Sequence, residues 1–164
     1  MPPNNSKNND EGMNTNQPAD RHFSFWSGCL VWTTGGVIAT GICMATMPEM
    51  MNGFFSRLFF FMRNQFPLFG EPAATYITFT HGMQGSMMVG WGVALMAILF
   101  GPFRSGNRNG WIAIALSIGI WFTLGCAISL RYGFWQSAIL NLIVAEFYAI
   151  ALARTFRSFF PAND

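Results

Sequence analysis

At 164 residues the chain has the length of one domain. Hydrophobic residues make up 52% of it and charged residues 10%, against roughly 25% charged in soluble domains. Long apolar runs joined by short polar segments therefore read as membrane spans, and a net charge of +2 with no basic cluster gives no footing for nucleic acid.

The first 22 residues are rich in Asn and nearly free of apolar side chains, which predicts a disordered polar tail and fits a secretory signal poorly. A first span is expected over 23–47, thinned in its middle by Gly35, Gly36, Thr40 and Gly41 and stopped by Pro48. Residues 50–66 follow, MMNGFFSRLFFFMRNQF. On a helical wheel Phe54, Phe55, Leu58, Phe59, Phe61, Met62 and Phe66 share one side. Asn52, Ser56, Arg57, Arg63 and Asn64 share the other. Two arginines make a full crossing costly, so this stretch predicts an amphipathic helix in the interface, with its Phe side free to pack on a bundle as well.

Glu71 and Pro72 open the second span, expected over 73–100, where Gly82, Ser86, Gly90 and Ala94 recur every four residues as a close-packing stripe. GPFRSGNRNG, residues 101–110, is a turn. The third span is expected over 111–130 with the stripe Ala115, Gly119, Thr123 and Ala127. After a joint at Arg131, Tyr132 and Gly133 comes the fourth, over 136–158, with the stripe Ser137, Asn141, Ala145, Ala149 and Ala153. These two spans form an antiparallel hairpin. Arg21, Arg104, Arg108, Arg154 and Arg157 fall on one side of such a bundle and Arg57, Arg63 and Arg131 on the other, so both termini are expected in the cytoplasm.

The polar residues inside the spans are the candidates for chemistry. Glu146 lies near the middle of the fourth span, where a carboxyl is costly unless it is paired, neutral or facing water. Its closeness to Ala149 on the wheel turns it toward the small-residue side. It serves either a proton or ion path or a hydrogen bond across the bundle. His81, Gln84, Arg131 and Asn141 share the non-cytoplasmic half and are able to form a polar cluster, as an anion or headgroup site or as a satisfied plug. Cys29, Cys43 and Cys126 have no metal-ligand spacing and read as buried thiols. No motif for a phosphate, a metal or a nucleophile occurs, and a lone membrane histidine gives little support for haem, so no cofactor is expected.

Two stretches, HGMQGSMMVGWGVALMAILFGPFR and NGWIAIALSIGIWFTLGCAISLRYGFWQSAILNL, carry a Gly-rich span, a short basic turn and a Trp opening the next helix. In these the chain resembles a class of small, uncharacterised four-span membrane proteins, mostly bacterial. The resemblance implies the fold and no activity. An acid that follows the WF pair in that class is replaced here by Gly125 and Cys126. The expectation is an all-α, four-helix transmembrane bundle with one interfacial helix. The function that suits it is a non-enzymatic accessory or structural membrane protein, partnered by the lipid bilayer and by itself or a larger complex. The alternatives are a small transporter or proton relay using Glu146, and a membrane enzyme acting on lipid.

Overall fold

The computed structural model describes residues 17–60 and 66–160. Five α-helices follow one another: α1 (Gln17–Thr46), α2 (Pro48–Phe59), α3 (Glu71–Ile98), α4 (Arg108–Arg131) and α5 (Trp135–Phe159). All but α2 are long and apolar enough to cross a membrane. The architecture is the expected all-helical bundle of four spans with additional short helices.

Several boundaries differ from the sequence reading, each for a local reason. Helix α1 begins at Gln17 and not at Phe23, because Pro18 falls in its first turn, where a missing N–H costs nothing. The earlier part of the tail, residues 1–16, lies outside the described residues, as do 61–65 of the stretch expected to be one interfacial helix. Helix α2 ends at Phe59. Helix α3 does not stop at Phe100. It continues as a wider-turned segment, Leu99–Phe103, distorted at Gly101, because Pro102 has no N–H to give to the Ile98 carbonyl. The chain then reverses through Gly106, at φ 73°, into Asn107, whose side chain accepts a hydrogen bond from the Asn109 N–H and caps α4.

The four long helices pack in a ring, α1 against α3, α3 against α4, α4 against α5, and α5 back against α1. The α1–α3 seam is the most extensive and α3–α4 the thinnest. Backbones nearly touch where α1 crosses α3: a side-chain carbon at Gly85 would stand 2.5 Å from the Gly41 carbonyl oxygen and 2.7 Å from the Ala45 nitrogen. Ile38 fills the space over Gly92. This corrects the expected stripe, since Ser86, Gly90 and Ala94 lie on the exposed side of α3. A four-residue spacing drifts about 40° round a helix at each step, whereas the seven-residue spacing of Gly85 and Gly92 drifts about 20° and holds one face.

The core runs down the ring through Leu30, Leu95, Ile114, Ile118, Phe122 and Tyr148. At the end where α1 begins and α5 finishes, Phe23, Phe103 and Phe159 meet with ring centres 4.8–5.9 Å apart. The bundle thus closes on a plug of aromatic rings. Arg108 donates to the Phe159 carbonyl at 2.8 Å, satisfying an acceptor at the end of α5. The five arginines expected on one side do lie at this end. At the other end the first turns of α3 run past the end of α1, and α2 folds against them.

Candidate functional site

The polar side chains within the bundle are used mainly to join one helix to the next. Thr34 of α1 gives its hydroxyl hydrogen to the Leu30 carbonyl at 2.7 Å, so the Tyr148 hydroxyl, 3.0 Å away on α5, is the donor of their shared bond. Both residues are fully buried. Trp91 of α3 donates its indole N–H to Ser117 of α4 at 2.7 Å and stacks on Trp121, with ring centres 4.9 Å apart. This aromatic pair bridges the thin α3–α4 seam. In the α4–α5 hairpin Ser129 bonds to Ser137 at 3.1 Å.

The expected cluster of His81, Gln84, Arg131 and Asn141 does not assemble. His81 of α3 turns to α2. Its Nδ1 bonds to the Asn52 side-chain oxygen, the Asn52 amide donates to Thr78 at 2.7 Å, and Thr78 donates to the Ala74 carbonyl at 2.8 Å. Because the Asn52 oxygen only accepts, the hydrogen of that bond resides on His81 Nδ1. Phe55 lies parallel to the imidazole, 5.5 Å from it centre to centre. Gln84 and Arg131 are exposed, and Asn141 is half-buried with its amide facing Gly125. Asn52 was not foreseen as a partner because the wheel places it opposite the Phe face, and the Phe face is the side expected to pack on a bundle. In the structure Asn52 and Ser56 are buried while Phe54 is exposed. The inward side of α2 straddles the two sides of the wheel: Asn52 and Ser56 come from the polar one, and Phe55 and Phe59, packed on His81 and Phe134, from the apolar one. An amide with two partners waiting on α3 is held there at no loss.

Helix α2 is also tied down at its far end. Gln136 of α5 donates to the Phe59 carbonyl at 3.2 Å, and Phe59 lies 5.5 Å from the Phe134 ring. The short helix therefore bridges α3 and α5 across the open end of the bundle.

Glu146 is exposed. It lies about 160° round α5 from the buried Tyr148, on the outer side of the bundle. It is eleven residues into the helix, about 16 Å along it, and so deep within the span. Among the described residues its carboxyl receives no hydrogen bond or ion pair. Beside it runs a groove between α4 and α5, made of two adjoining cavities of about 470 and 410 Å³ that share Ala149 and Leu152. The small residues Ala115, Gly119 and Thr123 form its α4 wall and Ala145, Ala149 and Ala153 its α5 wall. Three residues of each stripe read from the sequence thus line this shared furrow, while Ala127, Ser137 and Asn141 do not; Glu146 is not a lining residue but stands next to Leu142 and Ala153 on the wheel.

Among the described residues no three His, Cys, Asp or Glu side chains come together as a metal cage, and the three cysteines are unpaired and half-buried. No family model, curated protein or solved structure matches the chain.

Proposed function

We propose that this multi-pass membrane protein is a non-enzymatic accessory or structural subunit of a larger membrane assembly, with both termini in the cytoplasm. The observation that carries the reading is the position of Glu146. It is exposed on the outer side of the span region, next to a groove, with no partner among the described residues. A carboxyl at that depth is costly in hydrocarbon unless something meets it. In a proton relay the acid would face a wet interior path. Here the ring interior beside α5 is filled by Tyr148, Ala151, Leu152 and Thr155. The cytoplasmic assignment is supported by the five arginines at the end that carries both termini.

Purification of the tagged chain in mild detergent, followed by mass spectrometry of everything retained, tests the proposal. A stoichiometric polypeptide partner is the expected result. A pure chain that retains a single small molecule or lipid in stoichiometric amount would overturn it.

A further inference from the structure

We infer that the α4–α5 groove receives a transmembrane helix of another polypeptide, and that this helix carries a basic side chain at the depth of Glu146. The inference rests on the accessory reading and names the chemistry of the partner.

The dimensions of the groove suit a helix. It extends from Leu142 to Phe156, fifteen residues spanning about 21 Å along α5, which is about four turns of contact. Walls of alanine, glycine and threonine let a visiting backbone approach closely, which is how helices gain contact in lipid. Gly119 adds to the opening, since a side-chain carbon there would meet nothing within 4 Å.

Charge selects the occupant. Glu146 is exposed at mid-span and neighbours the groove-lining Leu142, Ala145 and Ala149 on α5 without itself lining the groove, and an intramembrane acid is most strongly satisfied by a cationic donor. Among its described residues a second copy of this chain offers no such donor at that depth. Among the described residues every arginine lies at one end of the bundle or the other: Arg21, Arg104, Arg108, Arg154 and Arg157 at one, Arg57 and Arg131 at the opposite one. Lipid tails fill a furrow but offer nothing to a carboxyl. A separate helix with a lysine or arginine near its middle satisfies both features together.

The test uses the full-length protein in phosphatidylcholine vesicles, with a fluorescent donor at one terminus. The probe is an acceptor-labelled, single-span Leu/Ala peptide with one central Lys, and its control has Leu in that place. The Lys peptide is expected to associate about tenfold more tightly than the Leu peptide. Glu146→Leu should abolish the difference between the two peptides. Gly119→Leu, which fills the groove from an open position, should weaken binding of both. Should Glu146→Leu fail to fold, Glu146→Gln supplies the same comparison with the side-chain shape kept and the charge partner removed.

Equal binding of the two peptides, or a Lys preference that survives loss of the acid, overturns the groove assignment. So does energy transfer between two copies of the chain that Gly119→Leu abolishes, because the occupant is then a second copy. Loss of the Lys preference alongside a co-purifying polypeptide defeats this inference and leaves the accessory reading standing. A clear Lys preference with no co-purifying polypeptide counts against the accessory reading alone.

Discussion

Asn52 and Tyr148 show how single polar side chains set the arrangement of helices in an apolar setting. Asn52 is 2% exposed and bonds to both His81 and Thr78, so removing its amide leaves the His81 N–H without its acceptor, while Thr78 keeps its bond to Ala74. Asn52→Leu is expected to cost about 1–3 kcal/mol and to raise amide hydrogen exchange along α2 while the exchange of α5 stays as it was. Thermal melts in detergent and exchange mass spectrometry check both parts. Tyr148→Phe removes one donor while Thr34 keeps its bond to Leu30. The expected loss is about 0.6 kcal/mol, the average for such bonds between membrane helices, and a double-mutant cycle with Thr34→Val measures it. Glu146 belongs at this scale too. Its presence deep in a span was plain from the sequence, but its direction was not. Nearness to Ala149 on the wheel suggests that it faces the small-residue side; in the structure Ala149 lines the α4–α5 groove, and Glu146 is exposed outside that lining.

For the helices as elements, the deciding quantity is how closely two backbones approach. A Cβ at Gly85 would collide with backbone of α1, which cannot move aside as a flexible side chain would. Gly85→Leu should therefore force α1 and α3 apart and cost about 1–3 kcal/mol or more by overpacking. Gly90→Ala, with nothing within 4 Å of the added carbon, should leave the melting temperature unchanged or slightly raised. Comparing the two melts separates the real seam from the periodic stripe that only resembled one. Helix existence, type and order were legible because each apolar run is long and ends at a strong punctuator such as Pro48 or Pro102. The seam was not legible, because α3 offers glycines on several faces and only contact with Gly41 and Ile38 selects Gly85 and Gly92.

The whole molecule is a ring of four spans with unequal ends. One end is sealed by Phe23, Phe103 and Phe159 beneath a collar of arginines, and α2 bridges part of the other. The charge difference gives a topological prediction. In a variant freed of native cysteines, a Cys placed at Tyr132 should react with a membrane-impermeant maleimide on intact cells. One placed at Ser105 should react only after the membrane is permeabilised. The reverse pattern would invert the orientation proposed above. The outward row of Leu116, Ile120, Leu124 and Ile128, all exposed, fits a ring whose perimeter is solvated by lipid.

Composition and apolar run length sufficed for the number of spans, their order and the segregation of arginines, because a bilayer demands about 20 apolar residues per crossing whatever the neighbours are. Three features came only with the tertiary structure: the inward turn of Asn52, the choice of Gly85 over Gly90, and the outward position of Glu146. Each is a matter of which face of a helix meets which neighbour. In a chain where nearly every face is apolar, hydrophobicity ranks those faces poorly. Backbone fit and a few hydrogen bonds, which depend on residues far apart in sequence, settle them instead.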